Sequence, residues 1–280
     1  AMAAVAASHV IVLACASVAG SPSLSRAALS PLTALQHHTR AAPRARCRMS
    51  SARTSGPALT FAPASIRKRL AKATGAVAVV PSFAAAMDAP VARALSEACR
   101  EGAAAAVCLD ADPSAMRACL EAVRAVAAEQ AEWQASFPGP CPVFVRLGVG
   151  VQADLREVAD AGAAAVVLEE GLEGSDALRR AAEEAGLAVI TAGPGAAAGE
   201  DASPFPRLAL LQGVEDGREV EAIRSLHAEG AKAVLLAFGD PFADPLDAGY
   251  VAALLDEVRR KRSGTYAAHA FGGGPGGGLS

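Results

Sequence analysis

The chain has 280 residues, 52% of them hydrophobic and 4% aromatic, with a formal net charge of −3 that conceals a strong asymmetry. No Asp or Glu precedes Asp88, whereas residues 1–73 carry ten Arg or Lys; all 29 acidic residues and 16 of the 26 basic ones lie in 88–280, which gives that part a net charge of −13. So acidic a body repels phosphate backbones and argues against nucleic acid as partner, and the absence of an apolar run of about 18 residues argues against a membrane span.

Residues 1–64 form an acid-free leader rich in Ala, Ser, Pro and Arg. This is the pattern of an organellar transit peptide, removed after import, and is read here as directing the chain to the chloroplast stroma. Its rival is a secretory signal over "VIVLACASVAG" (10–20), which has the apolar stretch and small exit residues but no basic residue before it. At the other end, "GGGPGGG" within 264–280 cannot bury a core and reads as a flexible tail.

Between them, 65–263 alternates two kinds of segment. "SIRKRLAKA" from Ser65 predicts a short helix, and "AVAVVPSF" (76–83) the first strand. "APVARALSEACREG" (89–102) has helical spacing of Val91, Leu95 and Cys99, and "AAAVCLD" (104–110) is the second strand. Asp112 and Pro113 supply a cap and a first-turn residue for a long helix to about Gln134. "CPVFVRLGV" (141–149) is the third strand, "QADLREVADAG" (152–162) a helix, and "AAAVVLEE" (163–170) the fourth strand. Ser175 caps a helix over 175–186, and "LAVITAG" (187–193) is the fifth strand.

A polar, Pro- and Gly-rich stretch (193–206) then interrupts the alternation. "LALLQGV" (208–214), "REVEAIRSLHAEG" (218–230), "AKAVLLAF" (231–238) and "DAGYVAALLDEVRRKR" (247–262) complete it. One phrase recurs at the joints: "CREGAAAAVCLD", "ADAGAAAVVLEE", "AEEAGLAVITAG" and "HAEGAKAVLLAFG" each end a helix on glycine and enter an apolar run. The glycines are expected to take the left-handed conformation just past the last helical turn.

Strands alternating with helices pair in parallel through right-handed crossovers, and strands this apolar are covered on both faces. The expected fold is a parallel β/α (TIM-type) barrel, incomplete with seven strands; an open doubly wound sheet fits the same pattern. In both, function collects at the carboxyl ends of the strands. Those positions hold Ser82, Asp110, Arg146, Glu169 with Glu170, Thr191, Gln212 and Gly239 with Asp240. Glu169 and Glu170, being adjacent on a strand, point to opposite faces, so one alone can face a barrel interior.

Cys99, Cys108, Cys119 and Cys141 show no C-x-x-C spacing and read as small apolar fillers, so neither a metal nor any other cofactor is expected. "RLGVGVQADL" places Gly148 and Gly150 between strand and helix but lacks the third glycine and the ribose acid of a dinucleotide fingerprint. "QGVEDG" (212–217) and "AFGDP" (237–241) are turns whose backbone N–H groups could hold a phosphate. His227 near a helix end reads as a structural cation rather than a catalytic base.

The order of these phrases resembles indole-3-glycerol-phosphate synthase, a β/α-barrel lyase of tryptophan synthesis. The phrases concerned are "ALSEACREGAAAAVCLDADPSAMRACLEAVRAV" (94–126), "CPVFVRLGVGVQADLREVADAGAAAVVLEEG" (141–171) and "LALLQGVEDGREVEAIRSLHAEGAKAVLLAFGDPFADP" (208–245). The resemblance implies a phosphorylated small-molecule ligand, but it departs at the active site. Of the family's Glu-x-Lys and Ser-Pro-Ser on the first strand, "VAVVPSF" keeps Ser82. The lysine of its third strand is Arg146 here. The fifth-strand glutamate falls in the Thr191–Ala192 region, and the asparagine-bearing sixth strand is absent. "LQG" retains Gly213 of the seventh strand's Glu-Ser-Gly, and Gly239 is displaced from the eighth strand's Gly-Glu. Arginine stays protonated and makes a poor general acid. The expectation is therefore a diverged barrel without the family's chemistry, with Gly213, Gly239 and Ser82 as phosphate contacts and a protein partner in place of catalysis. The alternative is an active carboxy-lyase or isomerase using Arg146, Asp110 and Glu169.

Overall fold

The computed structural model describes residues 59–71, 77–148, 154–172, 174–195, 204–214, 217–238 and 247–260. Seven strands alternate with helices: β1 (Ala78–Ala84), β2 (Val107–Ala111), β3 (Val143–Leu147), β4 (Ala165–Glu169), β5 (Ala188–Pro194), β6 (Leu208–Leu211) and β7 (Ala233–Ala237). Every pairing is parallel, and β1 pairs with both β2 and β7, so the sheet closes on itself. The doubly wound alternative is excluded.

The strands bury both faces, as their uniform apolarity requires. Val80, Cys108, Phe144, Val167, Ile190, Leu208 and Leu235 fill the barrel, and their neighbours Val79, Leu109, Val145, Val166, Val189 and Val234 meet the helices outside. Following paired residues round the barrel gives the stagger. The path runs from Ala84 through Asp110, Arg146 and Val167 to Ile190, climbs two residues to Ala192, then passes through Leu208 and Ala233. It re-enters β1 at Ala78, six residues lower despite the climb, a total stagger of eight residues. Seven strands thus carry the stagger of an eight-stranded barrel, which tilts the strands and sets interior side chains in rising layers.

Helices α2 (Ala89–Glu101), α3 (Met116–Glu132), α4 (Leu155–Asp160), α5 (Ser175–Glu184), α6 (Glu219–Ala228) and α7 (Ala248–Arg259) connect or follow the strands. Aspartates cap three of them: Asp88, Asp154 and Asp247 accept from the N–H groups of Val91, Arg156 and Gly249. Two expected caps are not used. Asp112 instead closes its own turn on the N–H and hydroxyl of Ser114, both at 2.8 Å, and α3 starts after Ala115. Ser175 is the first residue of α5, behind Gly174 at φ 76°.

Before the strands, α1 (Pro63–Leu70) buries Ile66 and Leu70 against the barrel's interior cluster, and Arg69 Nη2 donates to the carbonyl of Pro140 at 2.7 Å. Pro140 precedes β3, so α1 plugs the amino-terminal end of the barrel and leaves the opposite end for chemistry. On the outside, α2 and α3 are pinned by a buried polar cluster. Glu129 accepts from Ser96 Oγ (2.7 Å), Arg100 Nε (3.1 Å) and Gln130 Nε2 (2.9 Å), while Gln130 Oε1 accepts the N–H of Cys141 (2.6 Å). The Arg100 guanidinium lies 4.0 Å over the Trp133 ring. This cluster fixes the chain where it turns into β3, the strand that carries Arg146.

The repeated glycine joint holds at three places and differs at one. Gly162, Gly186 and Gly230 have φ of 103°, 79° and 108°. Gly102 is right-handed at φ −69°, and Ala103 takes the left-handed position at φ 52°. Glycine is needed at 102 for space: a Cβ there would lie 2.7 Å from the Leu255 side chain of α7.

The interrupting segment lies between β5 and β6. β5 and β6 pair directly, Ala192 with Leu208, and residues 195 and 204–207 are not helical. Arg207 ties this joint together, donating from Nε and Nη2 to the Glu170 carboxylate and from its two Nη atoms to the carbonyls of Pro194 (2.8 Å) and Gly195 (3.0 Å). A Cβ on Gly193 would collide with the Glu170 carboxylate and lie 2.6 Å from Arg207 Nη2, so this clamp requires glycine there. The leader up to residue 58, the tail beyond 260, Gly150, Gly239 and Asp240 lie outside the described residues.

Candidate functional site

The stagger brings the predicted polar residues together. Interior positions on adjacent strands rise layer by layer: Ser82 pairs with Cys108, one layer below Asp110; Asp110 pairs with Arg146; and Arg146 pairs with Val167, one layer below Glu169. Arg146 therefore reaches sideways to Asp110 Oδ2 (3.0 Å) and upward to Glu169 Oε1 (3.6 Å). From below, the Ser82 hydroxyl donates to Asp110 Oδ1. Four residues from four strands make one chain of contacts at the carboxyl-end mouth.

Its electrostatics follow from burial. Asp110 is 20% exposed and Arg146 15% exposed. Burial raises the Asp110 carboxyl above its ordinary range; Arg146 and the Ser82 hydroxyl pull it back, and Glu169 pushes it up. Cys108, beneath, is fully buried and its thiol is driven far upward by burial and by Asp110. Cys119, on α3, is pushed up to about 11 by burial and then Asp110. Cys99, Cys108, Cys119 and Cys141 are buried and form no disulfide, and no group of His, Cys, Asp or Glu among the described residues could hold a metal ion. No described helix is long and apolar enough to cross a membrane.

A cavity of about 580 Å³ opens from this mouth over β6 and β7, lined by Asp110, Arg146, Gln212, Gly213, Glu219 and an apolar wall that includes Phe238. Phe238 stacks on the buried Phe83 with ring centroids 5.3 Å apart, which fixes that wall. Gly213 has φ 65°, so the turn after β6 favours glycine, and it lines the cavity. Ser82 does not meet the expectation of a phosphate contact: it is 0% exposed and its hydroxyl is committed to Asp110, so it steadies the carboxylate and cannot touch a ligand in the cavity.

Glu219 and Tyr250 carry no signal of a site in the sequence. Glu219, the first residue of α6, is 5% exposed, lines the cavity and accepts the Tyr250 hydroxyl at 2.6 Å on Oε1. In sequence it is one acid among several at a helix start, and its partner stands 31 residues on in α7. Glu170 faces away from the interior into the Arg207 clamp, which holds its carboxyl below the ordinary range. His227, at the opposite end of α6 from Glu219, directs Nδ1 at the Ala231 carbonyl (3.1 Å).

No family model matches the chain, and no curated protein matches it. Solved structures similar in fold include a mutant tryptophan synthase alpha-subunit from Pyrococcus furiosus, with 14% identity and a TM-score of 0.46, covering 65% of this chain and 97% of that one. A tryptophan synthase alpha chain from Legionella pneumophila shows 15% identity and 0.47, covering 75% and 98%. Orotidine 5'-phosphate decarboxylase from Pyrococcus horikoshii OT3 shows 13% and 0.43, covering 65% and 100%. Likeness at this level concerns the backbone and transfers no residue role.

Proposed function

We propose that this chain is a diverged barrel of the ribulose-phosphate-binding type, similar to indole-3-glycerol-phosphate synthase, that binds a small polar molecule at its mouth without the family's decarboxylative ring closure. The observation behind this reading is the state of Arg146. Where the resemblance expects a lysine, a guanidinium lies between Asp110 and Glu169, and among the described residues no lysine or histidine stands at a strand exit. Ring closure with loss of water needs a group that gives up a proton, and a guanidinium does not do so at physiological pH. Incubation with the anthranilate-derived ester, followed by indole fluorescence, should give no product above the buffer blank; turnover by the unmodified chain would refute the reading.

A second reading has one observation in its favour. Asp110 is a carboxylic acid whose proton affinity burial has raised, beside a cavity, which is how barrels hold a general acid. In that case the chain is an active lyase or isomerase, and Asp110→Asn would abolish turnover while ligand affinity survives. A phosphate ester at Gly213 belongs to either reading, as do a chloroplast location and a protein partner. Fusing residues 1–64 to a fluorescent protein tests the location.

A further inference from the structure

We infer that the mouth takes a molecule carrying a protonated amine, held between the carboxylates of Glu219 and Asp110, in preference to a phosphate ester. This rests on the proposed reading of the mouth as a ligand site and names the ligand's chemistry. A phosphate in such a barrel sits on backbone N–H groups of a late strand's turn and on a helix amino terminus. The matching place here is the turn Gln212–Val214 and the start of α6, and it already holds an anion. Glu219 is the first residue of α6, where its carboxylate answers the positive end of the helix dipole, and it does so from inside the cavity. A phosphate arriving there would meet a 95%-buried like charge, the residue being 5% exposed.

Among the described residues the same carboxylate has no ion-pair partner. Its hydrogen-bond donor there is the neutral Tyr250 hydroxyl, on Oε1, and the residue lines the cavity. The one guanidinium on the wall, Arg146, pairs through Nη2 with Asp110 and through Nε with Glu169, and its Nη1, which has no hydrogen-bond partner, is closed off from solvent. The lining thus carries two carboxylates against one cation, and the remaining wall, Val214, Leu236, Ala237 and Phe238, is apolar. A cationic head on a short hydrocarbon or aryl body matches both parts: the ammonium donates three hydrogen bonds, and the body covers Phe238.

Phenethylamine and inorganic phosphate are the probes, titrated into the full chain with chemical shifts of the cavity residues as readout. Phenethylamine should give saturable shifts and phosphate none up to the same concentration. Glu219→Gln, which keeps an acceptor for Tyr250, should weaken the amine about tenfold or more. If that variant fails to fold, Asp110→Asn keeps the side-chain shape and should weaken the amine at least about threefold. Saturable phosphate binding to the unmodified chain, or amine binding indifferent to both substitutions, would overturn this inference while leaving the ligand-site reading standing. Failure of both probes to shift any cavity residue would sink the two together.

Discussion

Replacing Arg146 by Met tests whether the mouth is an electrostatic unit. The substitution removes the partner at 3.0 Å from Asp110 and leaves the carboxyl with the Ser82 hydroxyl alone. A hydrogen bond to a charged group contributes about 1.5–3 kcal/mol, and stranding a fully buried charge costs about 3–5 kcal/mol. Asp110 is 20% exposed and can escape by taking a proton, so we expect a loss of about 2–3 kcal/mol at pH 8.

The pH dependence carries the sign. A carboxyl whose folded-state proton affinity is raised stabilises the fold below its unfolded value, about 3.9 for aspartate, and loses that contribution as pH rises, by about 1.4 kcal/mol per pH unit until the folded value is passed. Arg146 lowers the folded value, opposing burial and Glu169. Without it the loss continues to higher pH, so the stability gap between the unmodified chain and Arg146→Met opens as pH increases from 5 to 8. Urea denaturation followed by the fluorescence of Trp133, the chain's one tryptophan, gives both curves. Parallel curves over that range, or additive effects of Arg146→Met and Asp110→Asn within about 0.5 kcal/mol, would show that the two side chains do not act together.

Other outcomes follow from the joints and clusters. Gly102→Ala should cost about 1–3 kcal/mol by overpacking against Leu255, whereas Ala103→Gly, relieving φ 52°, should stabilise by up to about 1 kcal/mol; a neutral Gly102→Ala together with a destabilising Ala103→Gly in a melting series would mean the left-handed residue is assigned wrongly. Glu129→Ala strands Arg100, which is 1% exposed, and should cost about 3–5 kcal/mol, with Glu129→Leu plus Arg100→Met recovering most of it. The clamp has the reverse pH sign from Asp110: the Glu170 carboxyl is held low by Arg207, so its contribution is present above the ordinary glutamate value and fades as pH falls through the lowered one. The urea midpoint of Glu170→Gln should accordingly fall less between pH 5 and pH 3 than that of the unmodified chain.

The alternation of apolar strand and Ala-rich helix, the parallel pairing and the count of seven strands were all legible from the sequence, because each depends on local period and on what must be buried. So was the separation of Glu169 from Glu170, since neighbours on a strand face opposite ways: one reached Arg146 and the other Arg207. Closure of the sheet was not legible. It depends on the register summed over all seven pairs, and no stretch of sequence records a sum. The same stagger lifts Glu169 one layer above Arg146 and sets Ser82 one layer below Asp110, which turned a presumed ligand contact into a buried prop. Glu219 and Tyr250 meet for a similar reason: the fold sets α6 and α7 side by side across the strand between them. Local chemistry wrote the elements, and long-range geometry chose which of their side chains share a cavity.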